Sequence, residues 1–185
     1  NLEAGRQAGE KLVWLVGAKA KVLVVSYNSS DQSAVERESG LREILNRQKG
    51  VEVLATIKVG NSVGAATITV GQQLETFSEV DGIVALDEMG SIAAAEVLQS
   101  RGLAGKIKLV AFGNAKEEIE MLDNAVVQAM VVQNPFTIGY MAVKNAVIRL
   151  NGGKPDMLVH TETKVIDATN MYLQENQKLL FPFAN

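Results

Sequence analysis

The sequence contains no cysteine. Disulfides, thiolate metal sites and thiol catalysis are therefore excluded. It has one histidine, His160, so a nucleophilic triad has a single candidate base and a multi-histidine metal centre cannot be assembled. No apolar run approaches the roughly 20 residues that a membrane-spanning helix needs. Basic residues are not in excess: 18 Lys and Arg face 21 Asp and Glu, a formal net charge of −3. That balance argues against a nucleic-acid partner, which calls for a basic surface. There is no initiator Met and no signal peptide before Asn1, so the chain is expected to be a processed protein or a fragment.

What is present is ordinary globular composition, with 185 residues, 47% of them hydrophobic and 21% charged. This is enough apolar mass for a core, in one domain or at most two small ones. A disordered tail, a collagen-like fibre and a coiled coil are excluded.

Short, almost wholly apolar runs occur at Lys21–Ser26, Val51–Ile57, Gly82–Leu86, Ile107–Phe112 and Val126–Val132. Runs of this kind are strands buried on both faces of a parallel sheet. Amphipathic segments lie between and around them: Leu2–Gly17, Ser33–Arg47, Ala65–Phe77, Ser91–Arg101 and Ala115–Leu122. The last of these opens with glutamates, which suit a helix N-terminus. Phe136–Leu150 follows Pro135, a first-turn residue, and stops at Asn151-Gly152-Gly153. Val159–Ile166 reads as a further strand, and Tyr172–Phe183 has no clear period. The alternation predicts an open, doubly wound parallel α/β sheet with right-handed crossovers.

Ligands of such sheets bind beyond the carboxyl ends of the strands. The residues there are Tyr27, Asn28, Ser29, Ser30 and Asp31, with Ser33 and Arg37 in the helix that follows. Next come Gly60, Asn61 and Ser62, then Asp87 and Glu88, then Phe112, Gly113 and Asn114, and finally Gln133 and Asn134. Arg, Asp, Asn, Gln and Ser, with an aromatic among them, form a set that hydrogen-bonds hydroxyls and ring oxygens. Turn chemistry alone also places Asp, Asn, Gly and Ser at strand ends, and Arg37 between Glu36 and Glu38 reads equally as a solvated charge run. The set contains no nucleophile–base pair. Gly60–Gly64 lacks the Lys-Ser/Thr of a phosphate loop and the spacing of a dinucleotide fingerprint. Asp87-Glu88 is either an acid/base pair or a helix cap. His160 has no second ligand nearby and reads as structural. Trp14 and the methionines read as core or surface filler. Asn28-Ser29-Ser30 matches a glycosylation sequon.

Several stretches together resemble one family: NLEAGRQAGEKL (Asn1–Leu12), AVERESGL (Ala34–Leu41), VDGIVALDEMGSIAAAEVL (Val80–Leu98), KLVAFGNA (Lys108–Ala115) and VVQNPFTIGYMAV (Val131–Val143), followed by LNGGKP and the late Asn170. They resemble, in order and over nearly the whole chain, the C-terminal part of ribose-binding-type periplasmic sugar-binding proteins. These are type I periplasmic binding proteins of ATP-binding-cassette importers.

The resemblance implies one lobe of a two-lobed clamshell, with the first lobe missing before Asn1. It implies that residues 1–133 are the second lobe, that 134–161 return to the first lobe, and that 162–185 rejoin the second. It implies ligand contacts from Asn1, Ser33, Arg37, Asp87 and Gln133, beside Phe112 and Asn114 at the fourth strand end. Relatives usually read Gly-Phe-Asp where this chain has Ala111-Phe112-Gly113, so Asn114 is the nearest substitute for that aspartate. Where ribose binders place a stacking aromatic, this chain has Gly60 and Asn61. Both departures point away from ribose, toward another sugar or small polar metabolite.

The expected function is therefore solute binding for a sugar importer, without catalysis, cofactor or metal. Its expected partners are a membrane permease or a sensor receptor outside the cytoplasm. Two alternatives remain at this level: the ligand-sensing core of a LacI-type transcription regulator, and an α/β enzyme using Asp87 or Glu88.

Overall fold

The computed structural model describes residues 1–27 and 31–181. The sequon residues Asn28, Ser29 and Ser30 lie outside them, as does the end of the 172–183 stretch. The elements in chain order are α1 (Leu2–Val16), β1 (Ala20–Tyr27), α2 (Gln32–Leu45), β2 (Val51–Val59), α3 (Val63–Thr76), β3 (Gly82–Ala85) and α4 (Glu88–Ser100). They continue with β4 (Lys108–Phe112), α5 (Lys116–Asp123), β5 (Ala129–Gln133), α6 (Pro135–Leu150), β6 (Thr163–Asp167) and α7 (Gln174–Leu180).

The strands form one sheet in the order β2-β1-β3-β4-β5-β6. The first five are parallel, as their apolar runs predict. The sixth departs from the all-parallel expectation and runs antiparallel to β5, pairing Gln133 with Thr163 and Ala129 with Asp167. An edge strand that returns after a long excursion is under no crossover constraint, so it can enter from either end. The strand expected over Val159–Ile166 starts only at Thr163, and His160 is exposed in irregular chain rather than in a strand. The fifth strand likewise begins at Ala129, because 124–128 form a turn. The aperiodic C-terminal stretch contains the short helix α7.

Alternation along each strand divides the core into two faces. Val22, Val24, Val84, Leu86, Val110 and Phe112 face α1 and α2, together with Ala4, Ala8, Leu12 and Leu41. Leu23, Val25, Ile83, Ala85, Leu109, Ala111 and Met130 face α3, α4, α5 and α7. The side chains of the inner strands are thus consumed in packing, while edge strand β2 leaves Glu52 and Lys58 exposed, which explains the near-absence of polar residues in the inner runs.

The tightest contact is between α1 and α2. A Cβ on Gly5 would lie 2.0 Å from the Arg37 carbonyl oxygen, and one on Gly40 would lie 1.9 Å from the Leu2 carbonyl oxygen. Two helices meet backbone to backbone here, and only glycine fits. Helix α6 is the opposite case. It is well started, with Asn134 capping the Thr137 amide at 2.9 Å, yet none of its residues is buried. Phe136, Tyr140, Val143 and Leu150 are exposed.

Gly40→Ala is expected to destabilise the chain by at least the ~1–3 kcal/mol typical of overpacking, because the obstacle is backbone that cannot rotate away. Thermal unfolding of Gly40→Ala beside Gly139→Ala, where an added Cβ meets nothing within 4 Å, measures this. Equal midpoints for the two variants would show that the helices can separate at no cost.

Candidate functional site

The strand order reverses at β1, whose neighbours are β2 and β3. Open α/β sheets form their crevice at such a point, outside the carboxyl ends of the strands. Arg37 lies across it. From the second turn of α2, its Nη1 donates to the Leu86 carbonyl just beyond β3 at 2.8 Å. Its Nη2 donates to Gln133 Oε1 at the end of β5 at 3.0 Å, and its Nε to Asn1 Oδ1 at 3.1 Å. Gln133 Nε2 donates to the same Asn1 oxygen at 3.1 Å. The guanidinium carbon stands 4.9 Å from the centroid of the Phe112 ring, a cation–π separation.

Four of the seven residues singled out from the sequence, Asn1, Arg37, Phe112 and Gln133, thus make one contiguous arrangement. Arg37 is not a solvated charge in a surface run. Burial pushes its pKa down from the ordinary value, while Asp87 and Asp31 oppose that shift. Among the described residues no carboxylate lies within 4.0 Å of the guanidinium.

The remaining three surround this group. Ser33 lies one helical turn before Arg37 and lines, with Asn1, Arg37 and Gln133, a cavity of about 800 Å³ that extends past Ile138 and His160. Asn114 lines a smaller cavity of about 230 Å³ with Arg37, Phe112, Gly113 and Gln133. Asp87 is the N-cap of α4, accepting the Gly90 amide at 2.8 Å through Oδ1. Its Oδ2 is buried without a hydrogen-bond partner. Burial pushes the Asp87 pKa up, and the Gly90 amide and Arg37 pull it back. Phe112 is only 2% exposed, because the guanidinium covers its ring.

Two features were not singled out from the sequence, and a third, Tyr27, was read there only as the residue ending the first strand. The Leu86 carbonyl anchors Arg37, and no side-chain pattern signals a backbone acceptor. Tyr27 ends β1 beside the crevice and donates its hydroxyl to Asn61 at 3.2 Å, which brings an aromatic next to the Gly60-Asn61 region. Glu118, read only as part of a glutamate-rich helix start, is fully buried under Gly113. No group of three or more potential metal ligands occurs among the described residues.

A family model described as a periplasmic binding protein domain matches residues 1–154. The chain belongs to this family. Among curated relatives, the ribose import binding protein of Haemophilus influenzae is 22% identical over 166 residues, covering 90% of this chain and 56% of the relative. A solved solute-binding protein of an ABC transporter from Agrobacterium vitis, bound with α-D-tagatopyranose, superposes with a TM-score of 0.92 at 24% identity, covering 97% of this chain and 60% of the other. The glucose-galactose binding protein GanP of Geobacillus stearothermophilus superposes with a TM-score of 0.85 at 25% identity, covering 93% and 61%. The fold is that of type I periplasmic binding proteins, and the chain spans less than two thirds of the length of each of these relatives.

Asp87→Asn keeps an oxygen for the Gly90 amide and removes the buried charge, so the periplasmic-binding-protein fold should hold its unfolding midpoint at neutral pH. Asp87→Ala removes the cap, at about 1 kcal/mol, and should lower the midpoint by about 2–4 °C for a chain of this size. Calorimetric melts of the two variants check this; a drop in Asp87→Asn as large as in Asp87→Ala would mean that the charge, not the cap, holds the helix.

Proposed function

We propose that this chain is the second lobe of a sugar-binding protein that delivers its ligand to an ABC importer outside the cytoplasmic membrane. The observation that carries the reading is Arg37, spread over Asn1, the Leu86 carbonyl and Gln133 at the topological switch point. Two of the relatives named above are an import binding protein and an ABC transporter solute-binding protein, which favours this reading over a regulator core.

Arg37 presents N–H groups in a fixed fork to neighbouring oxygens of a small sugar or related polar metabolite. Asn1, Ser33, Asn114 and Gln133 supply paired donors and acceptors, and the free oxygen of Asp87 accepts from a hydroxyl. Closure of a first lobe over this surface buries the ligand, and exclusion of water strengthens each of these bonds. Nothing in this scheme makes or breaks a covalent bond, so the role is capture. The closed form is what a permease or sensor receptor would read.

Residues 134–161 complete the reading. Helix α6 has no burial within this lobe, and each large apolar side chain left in water forgoes about 1.5–3 kcal/mol. We infer that 134–161 belong to the first lobe, whose surface covers α6, and that 162–185 return the chain to the second lobe.

The test is titration calorimetry of the complete two-lobed protein against a panel of neutral aldoses and ketoses. Binding of at least one is expected, and Arg37→Ala should weaken it by about 1.5–3 kcal/mol, roughly tenfold to a hundredfold. Unchanged affinity in Arg37→Ala removes Arg37 from the site. The 185-residue chain alone is expected to associate through α6 in sedimentation, and Val143→Lys with Val147→Lys should return it to a monomer with an unchanged melt. A well-behaved wild-type monomer that binds sugar tightly would overturn the two-lobe reading.

A further inference from the structure

Glu118 is fully buried and caps the start of α5 through the backbone of its N-cap residue, Ala115, yet it makes no ion pair with another charged residue among the described residues. It stands on α5, across the sheet from Arg37. Its Oε2 accepts the Ala115 amide at 3.0 Å, while Oε1 has no hydrogen-bond partner. A Cβ built on Gly113 would lie 2.1 Å from Oε2 and 2.8 Å from Oε1. The carboxyl group therefore fills the space that any side chain at 113 would need. Gly113 also has φ +146°, a conformation that favours glycine.

The residue before it is equally constrained. The Phe112 amide donates to Ser91 Oγ at 2.9 Å, and Ser91 Oγ donates to the Asp87 carbonyl at 2.8 Å. The Ala111–Phe112 peptide is thus held by Ser91, and the next position, Gly113, is blocked by Glu118. The Phe112 ring then carries the guanidinium of Arg37.

We propose that Glu118 is a positioning residue of the cleft, acting through Gly113 and Phe112 on the Arg37 guanidinium. The inference rests on the cleft reading above only for the identity of the surface it serves. It deepens that reading in one respect. With its carboxyl group below the turn and position 113 closed to side chains, the cleft floor at 112–114 offers a ligand the Asn114 amide, not a carboxylate. A ligand matched to this floor needs both donors and acceptors there, and gains nothing from a purely donating face.

The electrostatics agree with the geometry. Burial pushes the Glu118 pKa up to about 8, against the Ala115 amide, and the negative charge of Glu88 and Asp87 at the start of α4 adds to the rise. Lys116, Glu117 and Glu120 on its own helix are exposed. The group is mainly protonated at neutral pH. A raised folded-state value means that its contribution to stability is fully present below the unfolded value of 4.5 and is lost as pH rises to about 8.

The experiment is NMR of the 185-residue chain from about pH 5.5 to about pH 9.5, spanning the ordinary and the raised carboxyl ranges, with no ligand added. The Gly113, Asn114 and Ala115 amides and the Arg37 Nε–H are expected to move together with a midpoint near 8. Glu118→Gln should abolish that step and keep the low-pH resonance positions. Glu118→Leu should displace the Arg37 Nε–H at every pH. An Arg37 Nε–H that ignores both substitutions overturns the proposal, whatever the protein binds. A thermal double-mutant cycle guards against misfolding. Gly113→Ala should lower the melting midpoint less in the Glu118→Ala background than in the wild type, and strictly additive losses would also overturn it.

Discussion

The site depends first on two helices touching through their backbones. Gly5 of α1 lies over the Arg37 carbonyl, and Gly40 of α2 lies over the Leu2 carbonyl. Each helix supplies the gap into which the other's peptide oxygen fits. This closeness brings Asn1, one residue before α1, within 3.1 Å of the Arg37 guanidinium. An ion pair also joins the helices, Arg6 to Glu43 at 2.8 Å, but both side chains are about one-third exposed. A solvated pair contributes about 0–1 kcal/mol and imposes little geometry. The glycines determine the distance, and the ion pair follows from it.

Below Arg37 the structure handles buried polarity in layers. Ser91 satisfies the Phe112 amide, and Asp87 satisfies the Gly90 amide and anchors Ser91 through its carbonyl. Two oxygens remain without partners, Asp87 Oδ2 and Glu118 Oε1. An unpaired buried acceptor is costly when charged and much less so when the group is protonated. Burial raises the proton affinity of both carboxyls; the charge of Asp87 adds to the rise at Glu118, while Arg37 offsets part of it at Asp87. Surplus acceptor capacity at the end of a parallel sheet, beside a half-buried arginine, is a stability cost placed where a polar ligand would lie.

Most of the fold was legible in the sequence because parallel strands buried on both faces must be apolar throughout, and nothing else in the chain reads that way. Lys21–Ser26 and Lys108–Phe112 therefore stand out. Val159–Ile166 misled because its opening residues, of which only Val159 is apolar, continue an irregular stretch, and only the segment from Thr163 finds a partner in β5. Helix α7 was hidden by its length of 7 residues, too short for a period to show. In the site, charged and amide side chains at strand ends were readable. Ser91 and Glu118 were not, because a serine inside a helix and one glutamate among three give no sign of facing inward. The signal that bears on Glu118 is Gly113: a glycine at a strand end, where the turn could take many residues, marks a place that something else occupies.

Gln133 ties the cleft to the rest of the chain. It ends β5, pairs with Thr163 where β6 begins, and is followed at once by the capped start of α6. The chain therefore leaves and rejoins the sheet at one level, next to the side chain that accepts from Arg37. Between these two crossings it spends α6 and residues 151–162 without burying a helix face. On the proposed reading, motion of a first lobe about these crossings would leave the hydrogen-bonded set of Asn1, Arg37 and Gln133 intact, since all three are held by elements of the second lobe. Half of the binding surface would then be preorganised before ligand arrives, and the conformational cost of closure would fall on the crossings rather than on the recognition groups.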